Sequence, residues 1–177
     1  DAAQENFQRS FKLQSNLGDV EGMIELRSNM GLLEIDRGSL LAARSYLQHA
    51  LASAQQIGHT YQVGLAYLHL ILLNQAEGDW STLLDNAKLS LEAFQSIGVQ
   101  EHLVELWAIM GLAWLGLEDL DQAVECAQKA RLGYQVLGGE TSGRVEDHAR
   151  LLLLDGEIAA RRGDLDTAAR SFRHSAD

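Results

Sequence analysis

A rhythm of forty residues runs through the chain and limits its fold more than any other feature. Leu17-Gly18, Ile57-Gly58, Ile97-Gly98 and Leu137-Gly138 recur forty residues apart. A second marker keeps the same step through Gly38-Ser39-Leu40, Gly78-Asp79-Trp80 and Glu118-Asp119-Leu120, and Gly163-Asp164-Leu165 continues it after a step of 45. A small residue in mid-segment runs in phase: Gly31, Gly111 and Gly156, with Ile71 as the exception. Self-similarity at such a period marks an array of repeats. One unit of this length cannot bury its apolar stripe alone, so neighbouring units must share a core.

The segments between markers read as helices. Leu40, Ala43, Tyr46, Leu47, Ala50, Leu51 and Ala54 follow helical spacing, as do Leu83, Leu84, Ala87, Leu91, Ala93 and Phe94. Ser39, Asp79, Asp119 and Asp164 stand where an N-cap belongs, since a side-chain oxygen there accepts from the first-turn amides. Asp119 with Gln122 has the form of a capping box. Each Leu/Ile-Gly pair reads as a helix stop. The chain has no proline, and no alternating β-branched run suggests a strand. The spacing therefore predicts nine helices, at 2–17, 20–37, 39–57, 60–77, 79–97, 100–117, 119–137, 144–162 and 164–176. Gly31, Gly111 and Gly156 are expected where a partner helix crosses closely, with Ala43, Ala123 and Ala168 doing the same on the second helices. The last period is longer because of a glycine-rich loop at 138–143, within which Ser142 reads as the cap of the next helix.

Composition narrows the function. The 177 residues carry 14 Lys and Arg against 25 Asp and Glu, a net charge of −11. A chain this acidic repels both the phosphate backbone and an anionic bilayer, so direct contact with nucleic acid or membrane is not expected. Its apolar stretches are too short to span a bilayer. With no basic-then-apolar leader at its start, the cytoplasm is the expected compartment. The single cysteine, Cys126, excludes an internal disulfide and reads as a buried small hydrophobe. The six histidines form no short metal pattern, and the 138–143 loop lacks the Gly-Lys-Ser/Thr ending of a phosphate loop. No catalytic, metal or cofactor set emerges, and the expectation is a protein that is not an enzyme. Arg144, Arg150, Arg161, Arg162, Arg170 and Arg173 crowd the last 34 residues. They read either as a salt-laced exposed face or as a charge polarity that orients a partner.

Trp107-Ala-Ile-Met110-Gly111-Leu-Ala-Trp114 resembles the first-helix signature of the tetratricopeptide repeat (TPR) family, Trp-x2-Leu-Gly-x2-Tyr. The second-helix signature, Ala-x3-Phe, is matched by Ala3 with Phe7 and by Ala168 with Phe172, and nearly by Ala43 with Leu47. Three features depart from the family: the period is 40 rather than 34, the closing proline is missing, and Arg27 and Glu34 occupy the aromatic places of the first full unit. Longer, proline-free repeats of this kind resemble the helical arms of large bacterial signalling ATPases and transcription activators similar to the maltose-regulon activator.

The resemblance implies an all-α, right-handed solenoid of antiparallel helix pairs. It would form one repeat domain over 1–177, with a partial unit at 1–18, units at 19–58, 59–98 and 99–138, and an incomplete unit at 139–177. The partial units at each end suggest a piece of a longer protein whose end helices could self-associate. It also implies a non-catalytic protein–protein interaction module, a sensor or scaffold arm of a bacterial regulator. A receptor for a short signalling peptide is the alternative. In the family, the first helices of successive pairs line a concave groove that holds a peptide or helix. The matching places are Glu25, Ser28, Leu32, Ile35 and Asp36, then Leu65, Leu68, Leu72 and Gln75. Glu105, Ala108, Leu112 and Leu115 follow, and Arg150, Leu153, Glu157 and Arg161 complete the set. Either these leucines form an open apolar strip or they pack on one another. Tyr67, Trp107 and Trp114 are expected in the core.

Overall fold

The computed structural model describes residues 2–139 and 145–176. Among them the elements are nine α-helices and no strand: α1 (Ala2–Leu17), α2 (Val20–Asp36), α3 (Leu40–Gln56), α4 (Thr60–Glu77), α5 (Trp80–Ser96), α6 (Leu103–Gly116), α7 (Leu120–Val136), α8 (Val145–Arg161) and α9 (Leu165–Ala176). The observed ends lie within three residues of the predicted ones. The largest difference is at α6, which starts at Leu103 after His102. Residues 140–144, with Ser142, Arg144 and most of the glycine-rich loop, lie outside the described residues.

The short connections explain why the markers recur in pairs. At the end of α2, the amide of Gly38 donates to the Ile35 carbonyl (2.9 Å) and that of Ser39 to the Glu34 carbonyl (2.8 Å). This is the Schellman arrangement, which satisfies the last carbonyls of a helix. The residue that closes one helix also opens the next. Asp119 donates its amide to the Trp114 carbonyl at 2.9 Å, and its carboxylate accepts from the Gln122 amide at 3.0 Å. Asp164 does the same with Ala159 and Thr167, and Asp79 with Asn74 and Thr82. Ser39 holds the N-cap place, but its hydroxyl makes no cap hydrogen bond. Two caps were not anticipated. Asp19 accepts from the Gly22 amide, and His59, forty residues on, accepts through Nδ1 from the Gln62 amide.

Hydrogen bonds from the Thr82 and Thr167 side chains and amides hold the carboxyls of Asp79 and Asp164 below the ordinary carboxylate range. A group with a depressed folded pKa stabilises the fold above its unfolded pKa, and this is lost as pH falls through the folded value. Replacing both aspartates by alanine should therefore lower the urea midpoint at neutral pH. The difference between variant and parent should shrink as the pH falls through the folded-state pKa values.

Each turn needs a residue with left-handed φ. Among the described residues glycine supplies it at every turn except the one at Glu118, whose φ is 63°. An L-residue with a side chain pays about 1–2 kcal/mol for that conformation. Glu118→Gly should thus stabilise the chain by about 1 kcal/mol, read as a raised urea midpoint at unchanged slope.

The chain divides into two compact units, Asp1–Ala93 and Phe94–Asp177. In the first, α3 packs between α2 and α4. Its core holds Ala43, Leu47, Leu70 and Leu73, with Ile35 and Tyr67 against them, and a second cluster of Ile24, Ala50 and Ala54. Gly31 faces the Leu47 side chain, leaving no room for a Cβ. In the second, α6 packs on α7 and α8, and α8 on α9. One cluster joins Val104, Ala108, Ala130, Tyr134 and Leu151, with Trp107 against it. The other joins Leu115, Ala123, Ala127, Leu154 and Ile158, with Trp114 against it. Gly111 abuts Leu154, and Gly156 abuts the Phe172 ring. The in-phase glycines are contact points between helices, as the period implied, and Ala43, Ala123 and Ala168 are buried.

Candidate docking surface

In the first unit α2 and α4 lie side by side, tied by polar pairs near their N-terminal ends. Glu21 reaches the His59 imidazole at 3.7 Å, and Gln62 Nε2 donates to Glu25 Oε1 at 3.4 Å. Towards their C-terminal ends no such pair closes the gap. A cleft of about 430 Å³ opens there, lined by Leu32, Ile35, Asp36, Leu72, Gln75 and Ala76. Five of these six residues occupy places that the family resemblance assigned to a groove, and Ala76 is the addition. Leu32, Ile35, Leu65 and Leu72 are half-buried, so they carry apolar surface that water still touches. Leu68 is only 6% exposed. Its assignment to the groove is corrected: its side chain is packed away from solvent. Ser28 is likewise buried.

On the corresponding face of the second unit two arginines reach from α8 to α6, while Leu153 stays exposed. Arg150 on α8 pairs with Glu105 on α6 at 2.7 Å. Arg161 donates to the Leu115 carbonyl in the last turn of α6 at 3.1 Å, where a cation also meets the negative end of the helix dipole. Leu115 is 4% exposed and belongs to the core, a second correction to the groove assignment. Leu112 packs half-buried against the same cluster, and Glu157 is half-buried beside it in sequence on α8. The two arginines expected to face a guest are thus engaged by α6. Two further arginines of this end act locally, Arg170 on Thr167 and Arg173 on the Ala169 carbonyl, and Arg162 is exposed. Of these four arginines with partners, Arg150 alone meets a carboxylate, and the other three meet a hydroxyl or backbone carbonyls.

Several organising polar residues left little trace in the sequence. Asn74, fully buried within the apolar run of α4, accepts from Asn86 Nδ2 at 2.8 Å and donates to Glu77, which in turn pairs with Arg44. Ser90 bonds the buried Gly64 carbonyl at 2.8 Å. Arg27, which stands at an aromatic place of the repeat signature, lies over the Phe11 ring and donates to Ser53. An asparagine among leucines was the one available signal.

The histidines serve packing and capping. His102 stacks on Phe94 at 4.5 Å, His148 on Tyr134 at 5.1 Å, and His49 bonds the Ser45 carbonyl. Burial pushes the Cys126 thiol up to about 11, so it stays protonated and a poor nucleophile at neutral pH. Among the described residues no group of three His, Cys, Asp or Glu could hold a metal ion, and no helix is long and apolar enough to cross a membrane.

No protein-family model matches the chain, and no curated protein is similar to it. Among solved structures, the crystal structure of BtubC (BKLC) from P. vanneervenii is similar, with a TM-score of 0.67 and 15% identity over 99% of this chain and 87% of that one. At that identity the likeness carries the fold and nothing of the activity, and what it establishes is that this chain adopts an all-helical architecture already seen in a solved protein.

Proposed function

We propose that the chain is a non-catalytic protein-interaction module, a sensor or scaffold arm of a larger bacterial signalling or transcription regulator. In this reading its helix pairs stack as a right-handed TPR-like superhelix in the cytoplasm. The groove along α2 and α4 takes a partner peptide or helix. The observation that carries the reading is the cleft at the C-terminal ends of α2 and α4, where leucine and isoleucine side chains remain accessible. Apolar surface left open in a groove between helices suits the apolar face of a guest segment.

Panning of a random-peptide phage library on the domain tests this, with the Leu32→Ser/Leu72→Ser variant as comparison. Selected peptides should bind the parent at least about tenfold more tightly than the variant, a loss in keeping with removal of central apolar anchors. Equal binding to both would place the interaction elsewhere. The cleft volume, about 430 Å³, is within the range of small-ligand sites. It favours, as a second reading, a receptor for a short signalling peptide. Truncating a selected peptide to about five residues without loss of affinity would select that reading.

A further inference from the structure

We infer that the partner segment held between α2 and α4 is basic, with lysine or arginine side chains flanking its apolar anchors. This rests on the groove reading above and adds the chemistry of the guest. Helix α2 carries Glu21, Glu25, Glu34 and Asp36 against one cation, Arg27. Helix α4 carries Glu77 and neither lysine nor arginine. The single cation is turned to other work, over the Phe11 ring and onto Ser53. Glu34 is answered by Arg37 at 2.9 Å, and Glu77 by Arg44.

What remains along the groove is one sign of charge. Glu21, Glu25, Leu32 and Asp36 share a stripe of α2, at helical spacing. From Glu25 to Asp36 this stripe runs about 17 Å at the rise of an α-helix. Glu21 and Glu25 border its closed end, where their partners are the imidazole of His59 and the neutral amide of Gln62. The exposed Asp36 lines the open cleft with Leu32, Ile35 and Leu72, and takes part in no ion pair among the described residues. An apolar cleft with Asp36 at its wall, continued along α2 by the exposed Glu25 and Glu21, complements a segment of opposite sign. A like-charged guest would be repelled there. Lysine and arginine also suit the geometry, since their stems lie along apolar surface while the charged ends reach the rim.

The test uses two labelled helical peptides of about sixteen residues with leucine at i, i+3, i+4 and i+7. One has lysine and the other glutamate at the flanking positions, and binding is read by fluorescence anisotropy. The lysine peptide should bind at least about tenfold more tightly than the glutamate peptide at low salt, and the gap should narrow as the Debye length shrinks. Glu25→Gln/Asp36→Asn should weaken the lysine peptide about three- to tenfold. Asp85→Asn/Glu92→Gln on α5 removes the same net charge and should change it by less than about twofold.

Equal binding of both peptides, lost in Leu32→Ser/Leu72→Ser, would overturn the charge inference and leave the groove reading standing. Lysine-peptide binding that survives Leu32→Ser/Leu72→Ser, or that falls equally in the two charge variants, would show general attraction to an acidic chain and overturn the inference. Failure of both peptides to bind would also overturn it, while the panning experiment decides the groove independently.

Discussion

Leu154→Ala should cost the chain about 3–4 kcal/mol, a large share of the usual stability of a domain. Leu154 is fully buried, at the centre of the cluster formed by Leu115, Ala123, Ala127 and Ile158. It also fills the hollow left by Gly111, where an added Cβ would stand 2.5 Å and 2.9 Å from its two methyls and 3.3 Å from Cys126 Cβ. That contact gives the prediction a sign reversal. Alone, Gly111→Ala should destabilise, because overpacking of about 1–3 kcal/mol exceeds the roughly 1 kcal/mol gained in helix propensity. With Leu154 already cut to alanine the clash is gone, and the same change should stabilise by up to about 1 kcal/mol. Urea unfolding followed by tryptophan fluorescence in a Trp80→Phe background, which leaves Trp107 and Trp114 of the second unit, would measure the cycle. Additive effects would show that Gly111 and Leu154 are not coupled.

The second large effect separates two neighbours on α4. Leu68→Glu should unfold the first unit, because a carboxylate brought into a site only 6% exposed must either lose its hydration or take up a proton. Either outcome costs several kcal/mol. Leu72→Ser, four residues on at the half-buried wall of the cleft, should keep the helical circular dichroism and abolish guest binding. A folded Leu68→Glu variant would contradict the packing described here. An unfolded Leu72→Ser variant would place Leu72 in the core and remove the floor of the proposed groove.

Much of the fold was legible because its signals are local. The stop–start junctions at 38–39, 78–79, 118–119 and 163–164 need only a left-handed residue and a cap, and both act within a few residues. Glu118 was recognisable by its place in the period although its chemistry is wrong for the turn. The groove was half legible. Leu32, Ile35, Asp36, Leu72 and Gln75 line the cleft, whereas Leu68 and Leu115 are buried. Helical spacing gives the direction of a side chain around its own axis, but not how near the next helix stands.

The sequence by itself determined the nine helices, their ends, and the glycines that mark close crossings, because hydrogen bonds, caps and turn conformations are settled by residues within one or two turns. Only the tertiary structure decided where, within each unit, side chains bridge neighbouring helices and where they leave a cleft. In the first unit the polar ties between α2 and α4 sit at one end and leave an apolar cleft at the other. In the second, Arg150 and Arg161 reach across to Glu105 and the Leu115 carbonyl and tie α8 to α6. Those partners are about 45 residues apart in the chain, and whether a long side chain turns outward to a guest or inward to a neighbour depends on what the packed helices bring within its reach.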